Sequence, residues 1–154
     1  MLPPKIYLDT NLLVLLVVGE TDKKIIAKHR RCKAFDVNDY ERLVGLISQI
    51  DQVLITPNTL TETSNLLAQH GEPERSRLFE VLRLLIEEHE EIVVTSKAAS
   101  RNNEFNRLGL ADAVLLEVVS SSNPLITVDL PLYLAATSKD SGSAYNFRHY
   151  QSLA

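Results

Sequence analysis

Four acids in the 154-residue chain, Asp9, Glu62, Asp112 and Asp129, are placed where chemistry could be done. Asp9 directly follows the β-type run Ile6-Tyr7-Leu8, and Asp129 directly follows Leu125-Ile126-Thr127-Val128. Glu62 falls in the second turn of a helix opened by Thr56-Pro57, and Asp112 stands near the start of a helix beginning at about Gly109-Leu110. In an open α/β sheet the ligand site lies outside the carboxyl ends of the strands, which is where these acids would gather. Hard divalent cations such as Mg²⁺ or Mn²⁺ take oxygen ligands, and carboxylates supply both ligand and charge. Without a cation, four close acids repel, and some stay protonated. Two such ions about 4 Å apart clamp the attacking and leaving oxygens of an in-line phosphoryl displacement. The chemistry these residues suggest is metal-dependent phosphodiester hydrolysis. Each acid alone has a plainer reading. Asp9 can cap a helix beginning near Asn11, Glu62 can lie on a solvated helix face, Asp112 can stabilise a helix start, and Asp129 can be a turn residue before Pro131.

The elements that must position them follow from hydrophobic patterning. Ile6–Leu8, Val53–Thr56, Ile92–Thr95 and Leu125–Val128 are continuous apolar or β-branched runs, as in strands covered on both faces, and Ala144–Phe147 is a weaker fifth candidate. Between them lie helical patterns. Asn38 and Glu41 read as a capping box ahead of Leu43, Leu46, Ile47 and Ile50. Pro57 opens a helix running to about His70, and Pro73 starts one with the stripe Leu78, Leu82, Leu85 and Ile86. Leu110–Val119 forms a largely buried helix, and Leu132–Thr137 a short one. Strands alternating with helices predict one α/β domain over residues 1–154: a three-layer sandwich around a mostly parallel sheet of four or five strands.

In order and spacing, the motifs resemble those of PIN-domain nucleases over nearly the whole chain. The matching segments are Leu8-Asp9-Thr10-Asn11-Leu12-Leu13, Ile55-Thr56-Pro57-Asn58-Thr59-Leu60-Thr61-Glu62, Leu108-Gly109-Leu110-Ala111-Asp112-Ala113 and Leu125-Ile126-Thr127-Val128-Asp129. The resemblance implies that Asp9, Glu62, Asp112 and Asp129 form a catalytic Mg²⁺ or Mn²⁺ site, with Asn11 and Thr127 as polar supports. It further implies an endoribonuclease in which water attacks phosphorus in line, leaving a 5′-phosphate and a 3′-hydroxyl. The size fits stand-alone toxins of the VapC type, which cleave RNA and are silenced by an antitoxin protein; homodimers are common in the family. The charged segment from Gly19 to Val37 matches nothing in the toxin pattern.

Within it, residues 23–33 carry Lys23, Lys24, Lys28, Arg30, Arg31 and Lys33 and no acid. It reads as a phosphate-contacting surface, as a face for an acidic partner, or as a solvated face seated by Ile25, Ile26 and Ala27 in a short amphipathic helix. Tyr145, Phe147, Arg148, His149 and Tyr150 could stack bases or simply pack the chain end. The four histidines, His29, His70, His89 and His149, match no metal or triad spacing.

Composition narrows the classes. With 16 Lys+Arg against 20 Asp+Glu, the formal net charge is −4, which argues against a protein that coats nucleic acid by bulk charge. The 45% hydrophobic and 23% charged content is that of a globular protein, and the single Cys32 excludes a disulfide framework. The run Leu12–Val18 is too short to span a bilayer, so the expectation is a soluble, cytoplasmic protein without membrane association. A haloacid-dehalogenase-type phosphatase would need Asp where Asn11 stands. A response-regulator receiver would need paired acids before the end of the first strand. A non-catalytic PIN-like module binding nucleic acid or protein is the non-enzymatic alternative, and four retained acids count against it.

Overall fold

The computed structural model describes residues 2–152, with side chains through His149; the side chain of Tyr150 lies outside the described residues. Strand β1 (Lys5–Leu8) leads into helix α1 (Thr10–Thr21), two single 3-10 turns (Lys23–Ile25 and Arg30–Cys32) and α2 (Val37–Ile47). Then come β2 (Gln52–Leu54), α3 (Pro57–Leu67), α4 (Glu74–Glu88), α5 (Ser96–Ala99), α6 (Phe105–Leu108) and α7 (Leu110–Val118). The chain continues through β3 (Leu125–Thr127), α8 (Leu130–Lys139), β4 (Ala144–Asn146) and α9 (Phe147–Ser152). The strands form one parallel sheet in the order β2-β1-β3-β4.

Successive strand residues face opposite sides, and each side of this sheet has its own core. Ile6, Leu8, Val53, Ile55 and Ile126 pack against α1, α2 and α4. Tyr7, Leu54 and Leu125 pack against Leu115 and Leu116 of α7 and Leu132 and Ala136 of α8. This is the expected three-layer α/β arrangement. Helix α1 is buried continuously from Leu12 to Gly19, as a helix apolar on all sides must be. No helix among the described residues is long and apolar enough to cross a membrane.

Gly19 is the point of closest approach in this layer. A Cβ there would stand 2.2 Å from Cδ1 of Tyr40, whose buried ring is fixed by a 3.0 Å hydrogen bond from its hydroxyl to Glu20. Alanine is the better helix former by about 1 kcal/mol, but overpacking a closed core costs up to about 3 kcal/mol. Gly19→Ala is therefore expected to lower stability by roughly 2 kcal/mol in chemical denaturation. An unchanged midpoint would mean that the Tyr40 ring yields freely.

Several expectations are corrected. Ile92–Thr95 is not a strand: the one bridge, Ile55 to Glu91, precedes it, with the Ile92 N–H donating to the Ile55 carbonyl at 2.7 Å, after which Val93 is 72% exposed and Thr95 caps α5. The fourth strand is instead the weaker candidate at residues 144–146, and Phe147 already belongs to α9. The capping box of α2 is made by Asp36 and Asp39 rather than Asn38 and Glu41, because the helix starts earlier, at Val37. Ile86 faces outward, 39% exposed. The basic segment forms two 3-10 turns rather than an amphipathic helix; Ile25 and Ile26 are buried and Ala27 is exposed.

Candidate functional site

Strand order creates the site. The chain leaves β1 toward β2 on one side, while β3 and β4 lie on the other, so β1 and β3 flank the point where the order reverses. A crevice opens at such a switch point, beyond the carboxyl ends of the two strands. Here it is a cleft of about 400 Å³ lined by Asp9, Thr10, Asn11, Glu62, Asn65, Leu66, Asp112, Asp129 and Leu132. All four predicted acids are in it.

Asp9 is the most rigidly held. As N-cap of α1 it accepts from the Leu12 N–H at 2.9 Å through Oδ1. Its Oδ2 accepts from the Val128 N–H at 2.9 Å and from the Thr127 hydroxyl. Thr127 in turn accepts from the Asp129 N–H at 2.9 Å, so one hydroxyl ties the ends of β1 and β3 together. Thr127 is fully buried at this contact. The Asp9 carboxyl takes up a proton more readily than usual, because burial outweighs its three hydrogen bonds and nearby Asp129 adds repulsion.

Asp129 lines the cleft and also caps α8: its Oδ1 accepts from the Leu132 N–H at 3.0 Å, and among the described residues Oδ2 has no partner. Glu62 is exposed on α3, with Oε1 accepting from the Thr10 hydroxyl at 2.9 Å. Asp112 has no hydrogen-bond partner among the described residues, although it lies half-buried in the first turn of α7. Burial, then repulsion from Asp129, Glu62 and Asp9, pushes its pKa up to about 7. The positive end of α7 favours the ionised form, but the desolvation and the three neighbouring charges win.

Gly109 sets Asp112 in place. It is the N-cap of α7 at φ 88°, ψ 176°, a region essentially restricted to glycine. A Cβ would meet nothing within 4 Å, so any penalty for substitution is conformational. Gly109→Ala is expected to cost about 1–3 kcal/mol and to turn the first residues of α7 away from the cleft. Thermal denaturation and a crystal structure of the variant check this; an unshifted Asp112 would refute it.

The donor set suits a hard divalent cation. Among the described residues, acceptor capacity is left on both oxygens of Asp112, on Glu62 Oε2, on Asp129 Oδ2 and on one lone pair of Asp9 Oδ1. No group of three or more His, Cys, Asp or Glu among the described residues is gathered tightly enough to hold an ion by itself. Magnesium does not need that, since it keeps several waters and is bound through one or two carboxylates plus substrate oxygens.

Two polar cleft residues escaped the sequence reading. Thr10, not Asn11, hydrogen-bonds a carboxylate; Asn11 lines the cleft with its amide unbonded to protein among the described residues. Asn65 also lines the cleft, and its spacing of three from Glu62 on one helix face was the available signal.

The basic segment is fastened to the helices around it. Lys23 pairs with Glu41, Lys28 with Glu74 at 3.3 Å, and Arg31 donates to Gln69 at 2.9 Å. His29 stacks on His70 with ring centroids 5.1 Å apart, so tertiary structure pairs two histidines that the sequence leaves scattered. Lys24, Arg30 and Lys33 are exposed without side-chain partners among the described residues. Lys23 stands beyond the far end of α1, about 18 Å along its axis from Asp9. Gln69, which holds Arg31, is about one helical turn past Asn65 of the cleft. No family model and no curated protein matches the chain.

Proposed function

We propose that the protein is a Mg²⁺- or Mn²⁺-dependent phosphodiesterase that cleaves RNA internally, similar in its motifs to PIN-domain nucleases. The observation that carries this is the convergence of Asp9, Glu62, Asp112 and Asp129 on one cleft at the switch point of a parallel sheet. They come from four separate segments of the chain, and the burial of Asp9 and Asp112 beside other acids is unfavourable without a positively charged ligand. A divalent cation bound there would polarise the phosphate and lower the proton affinity of a water molecule. Asp9, clamped between two strand ends, sets the fixed point of the site. Glu62 and Asp129 each present one free oxygen, and Asp112 has both oxygens free for a cation or for the proton of an attacking water.

The test is incubation of the protein with labelled single-stranded RNA and DNA in Mg²⁺, Mn²⁺ or EDTA, beside Asp112→Asn. Cleavage of RNA that EDTA stops is expected, with Asp112→Asn losing more than the 10–100-fold typical of a supporting residue. Activity surviving that substitution sinks the site assignment. Absence of cleavage under every condition returns the chain to a non-catalytic binding module. In the toxin setting, expression would arrest growth, and a small antitoxin protein would relieve it.

Lys24, Arg30 and Lys33, without side-chain partners among the described residues, are the natural phosphate contacts. For single strands each neutralised phosphate contributes about −0.7 to the slope of log K against log salt. Substituting Lys24, Arg30 and Lys33 together by Gln should therefore flatten the slope for RNA binding by about 2. An unchanged slope would make this segment a protein-facing or plain solvated surface.

A further inference from the structure

We propose that Thr10 is a positioning residue for Glu62, and through it for the divalent cation; this rests on the metal-dependent reading of the cleft. Glu62 is exposed on α3, and a glutamate on an open helix surface samples many rotamers. Among the described residues its one hydrogen bond is the 2.9 Å contact from the Thr10 hydroxyl to Oε1, which leaves Oε2 for the cleft. Among the described residues no lysine or arginine pairs with it, and Asn11 and Asn65 line the same cleft without bonding it.

Thr10 is well suited to hold it. It is the first residue of α1, directly after the cap Asp9, and its β-branched side chain is stiff about χ1. Asp9 is locked by the Leu12 and Val128 N–H groups and the Thr127 hydroxyl. Two consecutive residues thereby set the spacing of two carboxylates from different layers of the site: Asp9 by its own bonds, and Glu62 by the hydroxyl of its neighbour. A ligand held in one geometry before the cation arrives loses less conformational freedom on binding, so the contact should tell on metal affinity and turnover rather than on RNA binding.

The experiment compares the full chain with Thr10→Val, which keeps the shape and loses the donor, and Thr10→Ser, which restores the donor. Mn²⁺ alone is titrated by calorimetry, and kcat and KM are measured on labelled RNA. Thr10→Val is expected to weaken Mn²⁺ binding and lower kcat by about 10-fold each, with KM for RNA and the unfolding temperature unchanged. Thr10→Ser should recover most of both losses. On a Glu62→Ala background, Thr10→Val should have no further effect on Mn²⁺ affinity, since the coupling partner is gone. Wild-type affinity and kcat in Thr10→Val, or losses of equal size in Thr10→Ser, overturn the proposal alone. A wild-type chain that binds no Mn²⁺ overturns the metal reading and this proposal with it.

Discussion

Asp112→Asn is expected to make the metal-free protein more stable at pH 8 while removing its hydrolytic activity. The sign follows from burial beside three other acids. The folded-state pKa of Asp112 is about 7, against an ordinary value of 3.8. Below pH 3.8 the carboxyl is neutral in both folded and unfolded chains and costs nothing. Between that pH and about 7 the unfolded chain ionises while the folded one resists, so stability drains away as pH rises. Fully unscreened, the loss would reach about 4 kcal/mol; the carboxyl keeps some contact with water, which brings it to roughly 2 kcal/mol. Asparagine is neutral at every pH, loses no hydrogen bond, and escapes the loss. For a chain of this size that corresponds to an unfolding temperature about 4–8 °C higher than wild type at pH 8 in EDTA, converging on wild type at pH 4. Excess Mg²⁺ should narrow the gap by stabilising the wild type. A variant no more stable than wild type at pH 8 would show that the acids do not strain the fold.

The opposite sign is expected at Asp9. Asp9→Ala removes the acceptor for the Leu12 and Val128 N–H groups and for the Thr127 hydroxyl, at a position only 4% exposed. Two backbone donors left unsatisfied cost about 1–3 kcal/mol each. Relief of the buried charge offsets part of this, leaving a net loss of roughly 3 kcal/mol, or an unfolding temperature about 6–12 °C lower. Urea denaturation at neutral pH measures it, and an undiminished midpoint would show that water or backbone shifts satisfy those donors. Both variants are expected to be inactive, but only Asp112→Asn loses activity in a protein more stable than the parent. It is the cleaner probe of the chemistry, because failure to fold does not explain its result.

The contrast between these two aspartates also marks how far the sequence could be read. Both stand at recognisable element boundaries, so the candidates were visible as an acid after a β-run and an acid after a glycine. Their roles were not visible, because a carboxylate's character depends on donors brought from elsewhere: Thr127 and Val128 are 118 and 119 residues from Asp9. The same limit explains Asn11 and Thr10. Adjacent polar residues in one helical turn are equally plausible supports on paper, and the packing of α3 against α1 decides which one meets Glu62. Ile92–Thr95 misled for a related reason. Its β-branched composition suits a strand, but after a single bridge from Glu91 to Ile55, just past β2, the chain turns away into the cap of α5.

By itself the sequence determined the α/β class, the main helices and the identities of the four acids, because hydrophobic period, caps and strand-end residues are local properties of the chain. The packing of the fold decided the strand order, and with it the crevice between the ends of β1 and β3. It also decided which hydroxyls orient which carboxylates, and left Asp112, of the four cleft acids, without a hydrogen bond among the described residues and with a raised proton affinity. These depend on burial and on charges contributed by distant segments, and both come into being only when the layers close around the sheet.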